Sequence, residues 1–280
     1  MDAPRPAAGA VLSEGGLDGA DQIFEDQPGL AYDDAERALA QLLKYADDLN
    51  SLVHERQDSL QRVEQAHLRS LQLLSRAAEL RDGDTGEHME RVGAMAAHLA
   101  CLMGRSQEEV RMLRLIAPMH DIGKIAMPDQ VLKKPGAYTP DDRSIMNRHT
   151  LIGAQIIGES EVPLFQMAAQ AALTHHECWD GSGYPQQLKG EAIPWIGRVI
   201  AIVDFFDAMG MHRIYRKACS TEYVLEAMRG LRGTKFDPLI LDVFLAHVEA
   251  FHRLRTQHED DSPPDPSGHA STLSVDAPPR

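Results

Sequence analysis

"LIAPMHDIGKIAMPD", residues 115–129, carries the reading that decides the fold. The run is apolar up to Met119, then sets His120, Asp121 and, three residues on, Lys124 around one helix end. A buried helix cannot carry a His-Asp pair without compensation, because charge taken out of water is strongly disfavoured. A divalent metal supplies that compensation: it takes imidazole nitrogen and carboxylate oxygen together and carries the opposite charge. Alone, the dipeptide reads more simply as a neutral histidine beside a salt-bridged aspartate. The question is whether the rest of the chain supplies further ligands.

It does. Of the 13 histidines, His88 lies on an earlier helical stretch, His149 on a later one, and His175 and His176 end a third. Asp204 sits in "RVIAIVDFFDAM", where a carboxylate among isoleucines and phenylalanines is costly without a cation. A helical bundle brings inward-facing ligands from several helices to one point. Imidazole plus carboxylate without thiolate suits iron or manganese, with zinc open. Two such ions about 3.5–4 Å apart are an apparatus for phosphate-ester cleavage. The other eight histidines (His54, His67, His98, His212, His247, His252, His258 and His269) have no acidic or histidine partner in a motif and read as surface or core residues.

The surrounding chain reads as all-α. Helical stretches include "EHMERVGAMAAHLACLMG", "SQEEVRMLRLIAPMHDIGKIA", "TPDDRSIMNRHTLIGAQIIG", "PLFQMAAQAALTHHE", "PWIGRVIAIVDFFDAMG" and "STEYVLEAMRGLRG". Ser106 with Glu109, Thr139 ahead of Pro140, and Ser220 are helix starts, and Gly104 and Gly158 are stops. No stretch alternates with period two for long enough to build a sheet. Before this domain, Leu39, Leu42, Ala46, Leu49, Val53, Leu60, Val63, Leu74 and Ala77 keep 3-4 spacing, interrupted at Arg56, His67 and Ser70. That stripe predicts a long helix over 35–79 and a coiled-coil homodimer through it, against the plainer reading of a helix packed on its own domain.

Composition bounds the rest. With 280 residues and 43% hydrophobic content the chain can bury a real core. The net charge of −14 belongs mainly to the ends: residues 1–34 hold eight acids and one arginine, residues 257–280 five and one, leaving about −3 between. Both ends, rich in Pro, Gly, Ala, Ser and Asp, are expected to be disordered. A basic face for long nucleic acid is excluded, a pocket for a small anion is not. The chain shows neither a membrane-spanning apolar run nor a secretory signal, and three scattered cysteines (Cys101, Cys178, Cys219) fit a reduced, cytoplasmic chain.

"HDIGK", "LKKPGAYTPDDRSIMNRHTLIGAQII", "HHECWDGSGYPQQLKGEAIP" and "RVIAIVDFFDA", in that order, resemble the HD-GYP family, a group within the HD superfamily of metal-dependent phosphohydrolases. The resemblance spans about residues 80–240 and implies an HD-type helical domain over 80–256. It implies hydrolysis of cyclic di-GMP to the linear dinucleotide or GMP, by attack of a metal-bridging hydroxide. His120, Asp121, His149, His175, His176 and Asp204 are then ligands of two divalent ions, iron or manganese, with Asp121 the bridge and His88 the upstream histidine. Lys124 stands beside the scissile phosphate, Arg213 and Arg216 hold phosphates, and Gly183, Tyr184 and Pro185 line the pocket's edge. A diguanylate cyclase or other signalling protein is an implied partner.

Two departures bear on this. Relatives carry ETGxH where this chain has Asp84-Thr85-Gly86-Glu87-His88, so the third ion of trinuclear members depends on whether the shorter Asp84 reaches. Past Asp207, relatives have a threonine-serine pair and Arg-Pro-Tyr-Lys; here "AMGMHRIYRKA" puts Ile214 for proline and Arg216 for lysine. A catalytically weak module that senses cyclic di-GMP or docks partners is the alternative. Another cyclic dinucleotide, or a nucleotide monophosphate, is the alternative substrate.

Overall fold

The computed structural model describes residues 28–83, 87–210 and 219–256. Among these the chain is helical, and the only β-type pairing is an isolated bridge between Arg232 and Phe236. The first helix, α1, runs Pro28–Asp82, seven residues earlier and three later than the apolar stripe predicts. Proline at the first position explains the early start, since its fixed φ suits a helix and its missing N–H would have no partner there. Gly83, at φ 89°, ends it. Most of the acidic segment 1–34 and all of the tail 257–280 lie outside the described residues.

By contacts the chain divides after Glu64. In the first unit the stripe is exposed throughout, from 51% at Val53 to 65% at Val63. From Gln65 onward α1 turns a different face inward. Leu71, Ser75, Ala78 and Glu79 are buried at 3-4 spacing, while the stripe residues Leu74 and Ala77 stay exposed. The apolar stripe and the domain-packing face are therefore distinct.

The second unit builds a bundle from α2 (Glu87–Leu102), α3 (Gln107–Ile116), α4 (Asp129–Leu132), α5 (Pro140–Ile157), α6 (Pro163–Thr174), α7 (Trp195–Gly210), α8 (Thr221–Gly230), α9 (Pro238–Ala246) and α10 (Val248–Thr256). Capping boxes at Ser106–Glu109 and Thr139–Asp142 start α3 and α5, and Ser220 caps α8. Gly158, at φ 78°, stops α5. The long helix expected over 106–126 breaks at Ile116. Pro118 cannot donate to the ladder, so the chain continues as 3-10 turns at Ala117–Met119 and Ile122–Ala126, and His120 and Asp121 fall between them.

Helix α7 is the centre: Val199, Ile200, Ile202, Val203 and Phe206 are fully buried, as befits a helix that is apolar apart from Arg198, Asp204 and Asp207. It packs against α2 and α6, α6 packs against α5, and α5 lies on the 122–126 turn. Phe206 meets Phe244 edge to face and Phe244 meets Phe251 tilted, each ring contributing roughly 1.5–3 kcal/mol by burial. The contact between α5 and the 122–126 turn admits no side chain at position 123. A Cβ on Gly123 would lie 1.9 Å from the His149 carbonyl oxygen. That close approach sets His149 beside the His-Asp pair.

Candidate metal centre

Seven of the residues singled out in the sequence meet at one place. Their ligand atoms form two groups, each within 4.8 Å: Asp121, His149, His175 and His176 in one, His88, His120 and Asp204 in the other. They come from α2, α5, the end of α6, α7 and the junction between the 3-10 turns.

Local backbone geometry aims the rings. His120 Nδ1–H donates to Ala117 O at 2.8 Å, and His149 Nδ1–H to Met146 O at 2.7 Å. His175 Nδ1–H donates to Ala171 O at 3.0 Å and Ala172 O at 3.1 Å. A carbonyl only accepts, so in all three the proton is fixed on Nδ1 and the Nε2 lone pair faces inward. His88 is oriented through a side chain instead: its Nδ1–H donates to Asp207 Oδ2 at 2.7 Å, which turns Nε2 inward. Asp207 is fully buried and also accepts from Arg91, Nε to Oδ1 at 2.8 Å and Nη2 to Oδ2 at 2.9 Å.

The inward atoms fit a cation. His149 Nε2 lies 3.3 Å from His175 Nε2, with Asp121 Oδ1 3.2 and 3.5 Å from the two. Three electron pairs aimed at one point need a positive charge between them. His88 Nε2, His120 Nε2 and Asp121 Oδ1 are buried and make no hydrogen bond, though such groups are ordinarily satisfied. Asp204 Oδ1 stands 3.4 Å from His88 Nε2 and 3.8 Å from His120 Nε2. Asp121 touches both groups, Oδ1 toward His149 and His175, Oδ2 toward His120 at 3.3 Å. One carboxylate between two ligand groups is the arrangement a bridged ion pair requires.

Electrostatics split the rings. Burial drives His175 down to about 4 and His176 well below its ordinary value, so both are neutral and ready to ligate. Burial acts the same way on His88, but the Asp204 and Asp207 carboxylates outweigh it and raise His88 to about 10. Burial opposes ionisation of Asp121, and Lys124 and His120 overcome it to hold the carboxyl well below its usual range. Lys124 Nζ is 2.8 Å from Asp121 Oδ2 and donates to Asp82 Oδ2 at 3.0 Å.

The Gly183-Tyr184-Pro185 loop closes one side. The Tyr184 ring lies 4.9 Å from the His176 ring and 6.4 Å from His149, and burial raises its phenol above the ordinary range. Glu177 staples the loop, accepting from Gln186 N at 2.7 Å and Leu188 N at 2.9 Å. At Gly183 a Cβ would fall 2.2 Å from Cys178 N, so the loop folds back against its own start only with glycine there. Asp84, Arg213 and Arg216 lie outside the described residues.

Sequence reasoning passed over Asp207, Arg91, Glu177, Arg81 and Asp82. Asp207 had a signal, since it stands three residues after Asp204 in the same apolar run and shares its helix face. Of the histidines read as structural, His67 packs its ring on Phe165, His98 on Phe251, and His247 donates to Val243 O; His212, His258 and His269 lie outside the described residues.

Comparisons agree with the geometry. A family described as HD domain matches residues 72–240. A cyclic di-GMP phosphodiesterase response regulator of Xanthomonas campestris pv. campestris is 43% identical over 67% of this chain and 50% of its own length. A cyclic di-GMP phosphodiesterase of Thermotoga maritima is 43% identical over 62% and 48%. A 3'3'-cGAMP-specific phosphodiesterase of Vibrio cholerae is 39% identical over 67% and 36%. The chain thus spans a third to a half of the length of these curated relatives. The crystal structure of a cyclic GMP-AMP-specific phosphodiesterase of Vibrio cholerae shares the fold, with TM-score 0.50 and 22% identity over 70% of this chain and 54% of that one. The match across the region that carries the ligand groups is decisive: this chain belongs to the HD domain family, in its HD-GYP group.

Proposed function

We propose that this chain is a metal-dependent phosphodiesterase that hydrolyses cyclic di-GMP to the linear dinucleotide or GMP. The observation that carries the reading is the convergence of His88, His120, His149 and His175 with Nε2 inward around Asp121 and Asp204. Asp121, His149, His175 and His176 would hold one divalent ion and His88, His120 and Asp204 a second, with Asp121 between them. Oxygen and nitrogen donors without sulfur favour iron or manganese. Such ions supply Lewis-acid polarisation of a phosphoryl oxygen and a water acidic enough to ionise near neutral pH.

The chain's own groups then have definite tasks. Lys124 Nζ, held between Asp121 and Asp82, is the cation placed to meet charge on a phosphoryl or leaving oxygen. Arg213 and Arg216 are assigned to phosphate binding, where planar paired donors suit the ligand. Tyr184 and its loop cover the His149–His176 side and shield it from bulk water. Asp84 remains the candidate ligand for a third ion. The 80–256 region is the catalytic domain in this reading, and the exposed stripe of α1 the seam of a homodimer.

The test is hydrolysis by the full chain loaded anaerobically with Fe(II) or Mn(II), products separated by chromatography. Cyclic di-GMP should be converted, and His120→Ala should abolish turnover while helical content stays near normal. An inert protein across a full set of metals would overturn the proposal. Because similar chains carry both cyclic di-GMP and 3'3'-cGAMP names, cyclic GMP-AMP belongs beside cyclic di-GMP in the assay. A strong preference for it would move the substrate and keep the chemistry.

A further inference from the structure

The last turn of α1 is tied directly to the loop that follows the His-Asp pair. Arg81 spreads its guanidinium over that loop: Nη1 donates to Ile125 O, Nη2 to Met127 O at 2.6 Å, and Nε to Asp129 Oδ1 at 3.0 Å. Asp129 Oδ1 also accepts from Nη2. Ile125 lies within, and Met127 directly after, the 3-10 turn that carries Lys124. The next residue of α1, Asp82, accepts from Lys124 Nζ itself, on the other side of the ammonium from Asp121. Two consecutive side chains thus hold the loop's backbone and its functional group.

The chemistry of this contact is particular. The guanidinium makes four hydrogen bonds from three nitrogens in a fixed plane; an ammonium has three donors on a single nitrogen and cannot reproduce that spread. Arg81 is about a third exposed, so its removal opens no core cavity. The bonds it makes lie along the loop, not within the hydrophobic core. Their geometry is also sharp: a shift of one residue's rise along a helix, ~1.5 Å, takes a 3.0 Å bond that lies along the shift out of hydrogen-bond range.

We propose that Arg81 is a positioning residue for the reaction: it clamps the 122–129 loop so that Lys124 stays on Asp121. Turnover is thereby made to depend on the placement of the last turn of α1. This rests on the phosphodiesterase reading above. Any input that slides or rotates the end of α1 lowers the rate by releasing Lys124, without touching a metal ligand.

Arg81→Ala in the metal-loaded full chain tests it by two independent readouts. By hydrogen exchange, the amides of Lys124 and Met127, bonded to Asp121 O and Lys124 O, should lose protection while α2 and α7 keep theirs. In turnover, kcat should fall between about 10- and 100-fold, as expected for an ångström-scale misplacement, with KM and metal content unchanged. Arg81→Lys should recover only part of the rate. In a Lys124→Ala background Arg81→Ala should add nothing, because both act through one group. Unchanged exchange in the loop would overturn the clamp. A loosened loop with normal kcat, or additive losses in the double variant, would overturn the positioning role. A wild-type chain inert on every cyclic dinucleotide would instead sink the phosphodiesterase reading, while the exchange measurement still decides the clamp.

Discussion

Asp207→Asn removes one charge and keeps the side chain's shape, which isolates what the buried carboxylate does. In the wild type, both oxygens accept: Oδ2 from His88 Nδ1 and Arg91 Nη2, Oδ1 from Arg91 Nε. An amide keeps one acceptor and turns a donor to the other position; with its oxygen at the Oδ2 place, His88 and Arg91 Nη2 keep their acceptor and Arg91 Nε faces an N–H. Breaking a buried ion pair from one side costs about 3–5 kcal/mol. The surviving amide acceptor and the Glu87 carboxylate 3.5 Å from Arg91 put this case near the lower end, about 3 kcal/mol. In a unit of this size each kcal/mol moves the melting temperature by roughly 2–4 °C, so the metal-free variant should melt roughly 6–12 °C lower. His88 keeps a hydrogen-bond acceptor but loses the charge behind it, which lowers the basicity of its ring and should weaken metal binding at the His88–His120–Asp204 group about 10- to 100-fold. The Asp121–His149–His175–His176 group should bind as before. Calorimetric melting of chelated protein and a metal titration give the two numbers. An unchanged melting temperature together with unchanged metal binding would refute the reasoning.

Other outcomes follow from the same geometry. With His88 raised to about 10, its proton stabilises the metal-free fold fully below about 6.5, and this contribution declines as pH rises through 10. Metal must displace that proton, so affinity at this group should rise with pH up to about 10, by as much as about tenfold per unit; a pH-independent titration would contradict it. Asp204 and Asp207, both depressed, stabilise the fold above the ordinary carboxylate range and lose that contribution in acid, so acid melts should show it. Gly123→Ala sets a methyl against the His149 carbonyl and should cost roughly 1–3 kcal/mol by chemical denaturation, more if the turn cannot shift. A truncation beginning near residue 68 removes the stripe from Leu39 to Val63 and should sediment more as a monomer. Retained dimerisation would move the interface into the catalytic domain.

The histidines and aspartates that converge were legible because they are unusual residue types in apolar surroundings. His120, Asp121 and Asp204 each sit in runs where a polar group demands a reason, and the reason is shared. Helix ends were legible at Ser106, Thr139 and Gly158, where side-chain caps and a left-handed glycine act within a few residues. The break at Pro118 was underread: proline's missing N–H forced the turn that sets His120 and Asp121 in a bend between helices. Contacts between distant segments left less trace. Nothing local in "ELRDG" announces that Arg81 will meet Ile125 and Met127 carbonyls, since backbone acceptors have no sequence signature. Arg91 was hidden in the same way, an ordinary charged residue until the packing of α2 on α7 brings it to Asp207.

The central claim is that side chains spread over more than a hundred residues hold two divalent ions. Metal content of the anaerobically purified chain, by mass spectrometry, tests it most directly when repeated on His149→Ala and His88→Ala. The account predicts at least two iron or manganese ions per wild-type chain, and a lower count in each variant from a different group. A wild-type chain that binds neither metal after loading, or two variants that keep the full count, would contradict it.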